Sequence, residues 1–182
     1  MVLQPGNIKK YFASAITPTG IHNHIKTLIS GYEKLYMIVG PVGLGNERLL
    51  NIVAESAIYR GLDVEAYYCP MKPATKMEHL LVPERKTAFV SLNAYHDLEP
   101  WERDEKIVLL DMNDIINWSE IEESKPMLTD VRERMDALLK EGVKCIGKAK
   151  KEHDVLESYY IPNMDFRKID ALRDEIIGKI EE

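Results

Sequence analysis

Residues 40–47, Gly-Pro-Val-Gly-Leu-Gly-Asn-Glu, have the glycine spacing of a phosphate-binding loop. An apolar run over residues 35–39 precedes this segment, and a helical pattern begins near residue 48. Strand, glycine-rich turn and helix form the context in which the signature G-x-x-x-x-G-K-[ST] holds a triphosphate, because backbone N–H groups and the helix N-terminus surround the phosphates. The residues predicted to bind a nucleotide are those of this loop: Gly40, Gly43, Leu44, Gly45, Asn46 and Glu47.

The two side chains that supply chemistry in such a loop are replaced here. Asn46 stands at the lysine position, and Glu47 stands where a hydroxyl would ligate Mg²⁺. Loss of the lysine removes a charge-assisted hydrogen bond worth about 1.5–3 kcal/mol. A carboxylate about 4 Å from a phosphate oxygen costs on the order of 1–4 kcal/mol. Together the replacements remove about two or more decades of nucleotide affinity.

Asn46 and Glu47 allow two interpretations. Asparagine is a favoured N-cap and a first-turn glutamate complements the helix dipole, so both side chains would satisfy the N–H groups that otherwise hold an anion. Alternatively, Glu47 binds Mg²⁺ directly and the metal restores the missing positive charge. We favour the first interpretation, in which the helix is capped by its own side chains and the anion site is closed.

A working NTPase also needs an acidic residue at the end of a second apolar strand, to hold the metal. The apolar run at residues 87–90 is followed by Ser91 instead. Asp111, after the run at 107–110, and Asp97 are alternative acids, and either is equally explained as a strand-end cap. Glu47 and Asp111 are therefore the candidate metal ligands.

His96 follows the same strand as Ser91, at the edge where α/β sheets contact their ligands. It would contact a phosphate or act as a base, although a loop histidine without a role is the preferred interpretation. The candidate catalytic residues are Glu47, His96 and Asp111. His22 and His24 are predicted to lie at the surface. His153 falls on an apolar helical stripe and is predicted to be a core histidine.

Composition excludes several classes of function. The chain has 182 residues, 45% hydrophobic and 30% charged, with a net charge of −6, which argues against nonspecific nucleic-acid binding. No apolar run approaches the roughly 20 residues that span a bilayer, and the first residues lack the apolar stretch of a signal peptide. Cys69 and Cys145 both lie in apolar patterns, so buried, reduced thiols in a cytoplasmic protein are predicted.

Hydrophobic periodicity predicts an α/β fold. Helices are predicted at 21–29 and 48–59, strands at 35–39, 63–69, 80–82, 87–92 and 107–110, and a polar connection at 71–79. Strands that alternate with helices indicate a mostly parallel sheet. A helical stripe of about thirty residues begins at Val131 and ends at Pro162, and a terminal helix follows. Residues 117–128 are predicted to be a hinge between the sheet and these helices.

Segments along nearly the whole chain resemble an uncharacterised bacterial family of P-loop ATPase-like proteins. They are residues 12–20, 40–47, 61–65, 68–70, 81–84, 88–96, 153–157 and 164–166. Members often carry two P-loop halves in tandem, and this chain is similar to one half, more like the second. The family's loop ends in Gly-Lys-Ser and its second strand in Asp, whereas here the positions are Asn46, Glu47 and Ser91. His96 matches the family pattern.

The resemblance implies a P-loop NTPase-like three-layer α/β/α sandwich with a mostly parallel sheet. It would form one domain over residues 1–182, with the sheet and loop in 1–116 and a mainly helical extension, packed on that core, in 117–182. The predicted function is a degenerate nucleotide-binding module, weak or inactive as a catalyst, which pairs with a companion P-loop domain or with its own copies.

Two alternatives stay open from the sequence. The first is an active ATPase or nucleotide-kinase-like phosphotransferase that uses ATP or another nucleotide with Mg²⁺. It would rely on Glu47, Asp111 or a partner's lysine for metal and charge. The second is a small-anion or metabolite binder that uses the glycine loop without turnover.

Overall fold

The computed structural model describes residues 4–93, 95–96 and 105–181, so Asp97 lies outside the described residues. The strands are β1 (Ile8–Tyr11), β2 (Ser14–Thr17), β3 (Gly20–Asn23), β4 (Lys34–Val39), β5 (Val64–Tyr68), β6 (Met77–Val82), β7 (Thr87–Leu92) and β8 (Ile107–Asp111). The helices are α1 (Ile25–Leu28), α2 (Asn46–Tyr59), α3 (Trp118–Ile121), α4 (Lys125–Tyr160) and α5 (Phe166–Glu181).

Six strands form one sheet in the order β1-β5-β6-β7-β4-β8, and β2 and β3 form a separate antiparallel hairpin. Strand β6 runs antiparallel to both of its neighbours, and the other pairings in the sheet are parallel. The prediction of an α/β fold with a mostly parallel sheet is therefore confirmed. β4 lies between β7 and β8, which brings the ends of three parallel strands to one edge of the sheet.

The two faces of the sheet are covered differently. Helix α2 buries Leu50, Ala54 and Ala57 against the apolar side chains of one face. The other face packs against Ala13 and against Ile25 and Ile29, in and directly after the four-residue helix α1. Among the described residues, the cover on this second face is therefore a short helix and its flanking segments rather than a long crossover helix.

Two sequence predictions in this region are wrong. Residues 21–29 do not form one helix, because residues 20–23 pair with β2 as strand β3, and α1 begins only at Ile25. The segment 71–79 is not entirely a polar connection, because β6 begins at Met77. Glu78 and His79 are therefore buried strand residues. Because their side chains are polar, the apolar pattern of β6 is visible in the sequence only over its second half.

The C-terminal third is helical, as predicted. Helix α4 has 36 residues and lies against β2, and α5 has 16. The segment 117–128, predicted to be a hinge, contains α3 from Trp118 and the start of α4 at Lys125. Neither α4 nor α5 contains a buried residue. His153 and Cys145 are consequently exposed on α4, which corrects the prediction that both are buried; Cys69 is buried.

Candidate functional site

The glycine loop connects β4 to α2, as its sequence predicts. Gly43 and Gly45 have φ angles of +102° and +76°, in the left-handed region that favours glycine. Gly45 is the N-cap of α2 and offers no side chain to its N–H groups. The predicted capping by Asn46 is wrong, because Asn46 is already the first helical residue. The N-terminus of α2 therefore has no side-chain cap.

The side chain of Asn46 turns to the neighbouring strand instead. Its Nδ2 atom lies 3.5 Å from Ser91 Oγ, at the outer limit of a hydrogen bond, and its buried Oδ1 atom has no partner among the described residues. In the register of β4 and β7, Ser91 lies opposite Ile38, which is two residues before the loop begins at Gly40. By the resemblance, Asn46 stands at the lysine position and Ser91 at the aspartate position. The contact between these two positions is therefore one between a neutral amide and a hydroxyl.

The depression at the loop is small and acidic. Its free volume is about 20 Å³, which is space for roughly one water molecule. Glu47 and Glu78 both line it. Lys76 is the one cation among the described lining residues, and its Nζ atom already lies 3.3 Å from Glu78 Oε1. The described lining of this depression therefore offers little enclosed volume and no cation without an ion pair, which disfavours binding of a nucleotide triphosphate with Mg²⁺.

Asp111 ends β8 and lies opposite Val39 in the register. Its carboxylate accepts hydrogen bonds from the backbone N–H and the side-chain amide of Asn113, both at 2.8 Å. The interpretation of Asp111 as a strand-end cap is therefore confirmed. Asp111 does not belong to the described lining of the loop depression, whereas Glu47 does.

His96 is buried rather than a free loop residue. Its Nε2 atom lies 3.2 Å from Ser14 Oγ and 3.4 Å from Glu78 Oε2. The Nδ1 atom lies 3.3 Å from Asn93 Nδ2, whose amide is oriented by the bond from the Tyr95 N–H to Asn93 Oδ1. Because an amide nitrogen donates, this contact assigns the proton of neutral His96 to Nε2. Burial lowers the pKa of His96, which favours the neutral ring.

Ser14, His96 and Glu78 do not form a nucleophilic triad. In such a triad the serine and the acid bind opposite nitrogens of the imidazole, so that a proton passes from one side while the acid orients the other. Here Ser14 Oγ and Glu78 Oε2 both approach Nε2. The carboxylate therefore does not orient the ring from the side opposite to the serine, as a triad requires.

His79 is the second buried imidazole of this cluster and is only 1% exposed. Neither of its ring nitrogens has a hydrogen-bond partner among the described residues. Its ring meets that of His96 edge to face, with centroids 5.1 Å apart. Burial, and to a lesser extent His96, lowers the pKa of His79 to about 3. A buried polar group without a hydrogen-bond partner lowers the stability of the folded state by about 1–3 kcal/mol, so such groups are unusual unless they bind something.

Glu78, His79 and His96 each place one potential ligand atom within 4.8 Å of the others. This cluster was not predicted, because Glu78 and His79 lie in the polar segment 71–79 that was interpreted as a connection. The available signal was a histidine directly beside the apolar run Leu80-Leu81-Val82, where an unpaired imidazole is unusual.

A cavity of about 200 Å³ adjoins the cluster, lined by Ser14, Cys69, Lys76, Glu78 and His96 together with apolar side chains. Burial and the neighbouring Glu78 carboxylate raise the pKa of the Cys69 thiol, so it is protonated at neutral pH. Lys76, Glu78 and Asn93 line both this cavity and the loop depression. The two features are therefore neighbours that share a wall.

Comparisons with known proteins give no relatives for this chain: no protein-family model, no curated protein and no solved structure matches it. Among the described residues, no helix is both long enough and apolar enough to cross a membrane. The cytoplasmic location and the resemblance to P-loop ATPase-like proteins stay predictions.

Proposed function

We propose that this chain is a P-loop NTPase-like module that is inert as a catalyst and acts by contacting another protein. The observation that carries this proposal is the contact between Asn46 and Ser91 in a loop depression of about 20 Å³. The strand–loop–helix unit with left-handed Gly43 and Gly45 supports the P-loop part of the proposal. The three-layer sandwich implied by the resemblance belongs to the same proposal.

Electrostatics supports inertness toward polyphosphates. The carboxylates of Glu47 and Glu78 line the depression, and Lys76 is neutralised by its ion pair with Glu78. Because Lys76 and Glu78 neutralise each other, a triphosphate would face the uncompensated carboxylate of Glu47 without a compensating cation, and like charges repel. Helix α2 still offers uncapped N–H groups, but these supply only the backbone part of phosphate binding.

The interaction role is supported by α4 and α5, which expose apolar side chains that a solitary chain would leave in water. On α5 these side chains form one face: Phe166, Ile169, Leu172, Ile176, Ile177 and Ile180 are each at least 44% exposed. Such a face at helical spacing is suited to a facing helix. We assign a second copy of this chain as its partner.

Charge balance favours the second copy. Helix α4 has eight lysines and arginines against seven aspartates and glutamates, and α5 has four of each. The whole chain has a net charge of −6, so the excess negative charge lies away from these helices. Two copies can therefore associate through the nearly neutral helices α4 and α5, while the negatively charged rest of each chain stays away from the interface. A companion P-loop domain is the competing partner.

An ATP hydrolysis assay tests the inert loop. The purified chain with ATP and Mg²⁺ is expected to release phosphate no faster than a control without protein. Enzyme-like turnover would overturn the proposal if it were lost in Glu47→Gln or Asp111→Asn, because those residues are the alternative metal ligands. Turnover that persists in both variants and in His96→Gln would instead indicate a contaminant.

Sedimentation velocity over a range of concentrations tests the second copy. We expect a concentration-dependent dimer, and at least about a tenfold weaker association in Ile176→Glu, because a central apolar contact is replaced by a charge. Ala171→Glu is the matched control, since it adds the same charge on the opposite side of α5 and is expected to leave the dimer intact. A wild-type monomer at all concentrations contradicts self-association and leaves the companion domain as the partner.

A further inference from the structure

We propose that Glu78, His79 and His96 bind a divalent transition-metal ion. The donor set is two imidazole nitrogens and one carboxylate oxygen, which suits Zn²⁺ and Fe²⁺ rather than the all-oxygen preference of Mg²⁺ or Ca²⁺. Glu78 also lines the loop depression, but His79 and His96 do not, so metal binding is tested separately from nucleotide binding.

Distances support the assignment. Tetrahedral zinc with bonds of about 2.0–2.1 Å places its ligand atoms about 3.3 Å apart. Glu78 Oε2 and His96 Nε2 are already 3.4 Å apart, and the three potential ligand atoms all lie within 4.8 Å of one another. To close the site around an ion, the more distant of these atoms must approach one another by up to about 1.5 Å.

The unpartnered state of His79 is an independent observation that points to a ligand. This side chain is 1% exposed, and both of its ring nitrogens lack a hydrogen-bond partner among the described residues. A metal ion would use one of these nitrogens. A neutral imidazole is also the form that binds metal, and the buried surroundings keep His79 neutral.

The charges of the cluster are compatible with a cation. The two carboxylate oxygens of Glu78 have different neighbours: Oε1 lies 3.3 Å from Lys76 Nζ, and Oε2 lies 3.4 Å from His96 Nε2. Lys76 therefore weakens the attraction for a cation but leaves Oε2 available. Three protein ligands leave one position open, and Glu78 and His96 both line the cavity of about 200 Å³, so this position is accessible to a water molecule or a small ligand.

Metal binding requires one rearrangement at His96. In the metal-free protein Nε2 carries the proton, so ligation through Nε2 moves this proton to Nδ1. The Asn93 amide, now 3.3 Å from Nδ1, must then rotate to present its oxygen as the acceptor. Such outer contacts commonly fix the orientation of a ligating histidine, which makes Asn93 a positioning residue for the site.

Metal titration of the intact chain tests the proposal, with Co²⁺ as the spectroscopic probe and Zn²⁺ for stability. We expect one equivalent of Co²⁺ to produce visible absorption bands of a low-coordinate site. We expect saturating Zn²⁺, at about 100-fold above its Kd, to raise Tm by roughly 5–10 °C. His79→Leu and His96→Leu are expected to abolish both effects.

His153→Leu is the matched control, because His153 belongs to an exposed group with Asp154 and Glu157 that would bind metal only at the surface. This variant is expected to retain the absorption bands and the Tm shift. The proposal is overturned if the wild type binds neither metal, if His79→Leu keeps full binding, or if His153→Leu loses it. Where a buried variant does not fold, wild-type binding that is lost in His153→Leu still overturns the proposal, and so does a wild type that binds neither metal.

Discussion

Replacing Asn46 with Lys and Glu47 with Ser is expected to raise the affinity for ATP with Mg²⁺ by at least about 100-fold. The lysine adds a charge-assisted bond worth about 1.5–3 kcal/mol, and removal of the carboxylate relieves a repulsion on the order of 1–4 kcal/mol. The uncapped N-terminus of α2 and the left-handed Gly43 and Gly45 already supply the backbone arrangement. Thermal unfolding with and without ATP measures the gain as a rise in Tm.

The control for this variant is Asn46→Gln with Glu47→Gln, which removes the negative charge without adding a cation. This control is expected to bind ATP more tightly than the wild type only to the extent that the repulsion between the Glu47 carboxylate and the phosphates is removed. If the Lys and Ser variant unfolds at the same temperature with and without ATP, the loop is not a latent phosphate site, and the P-loop part of the proposed function fails.

Lowering the pH from 7 to 5 is expected to reduce the stability of the metal-free protein through His79. Its pKa is about 3 in the folded chain and about 6.5 when unfolded, so the unfolded state binds the additional proton as the pH falls. Over this interval the free energy of unfolding decreases by about 2 kcal/mol from His79 alone. Burial lowers the pKa of His96 as well, so its contribution has the same sign.

Urea unfolding at several pH values in the presence of a chelator measures this loss. Glu78 and Lys76 are the charged groups beside the two histidines, and they are unchanged in His79→Leu. That variant is expected to lose about 2 kcal/mol less than the wild type between pH 7 and pH 5. His153→Leu, exposed on α4, is expected to follow the wild type. Equal pH dependence in His79→Leu and the wild type would contradict the burial of a neutral imidazole.

The parts of the fold that sequence predicted are those with a strong local pattern. The run at 35–39 is almost wholly apolar, as a central parallel strand must be, and the helix after the loop has apolar residues at helical spacing. Gly43 and Gly45 stand where the backbone needs positive φ. These local preferences and the final packing agree, so the strand, loop and helix follow from the sequence.

Other elements depend on contacts between distant residues. The segment at 20–29 has apolar residues at helical spacing, yet pairing with β2 makes its first part a strand. The first half of β6 contains Glu78 and His79, whose burial depends on His96 from a later part of the chain. No local pattern contains that information.

The position of the glycine loop follows from the sequence, whereas the side-chain contacts around it do not. The loop lies at the edge of the sheet where it was expected, and Glu47 lines it. Asp111, by contrast, uses its carboxylate to cap the end of β8. His96 was identified from its position after β7, but its contacts with Ser14 and Glu78 appear only when three separate segments come together.

Calorimetric titration of the wild-type chain with ATP, with and without Mg²⁺, is the most direct test of the inert loop. We expect no binding, or binding weaker than about 1 mM, with either form of the nucleotide. Binding of phosphate or sulfate alone would support the anion-binder alternative instead. Micromolar, Mg²⁺-dependent binding of ATP would contradict the proposed function, because it would show that the loop holds a nucleotide and its metal in spite of Asn46 and Glu47.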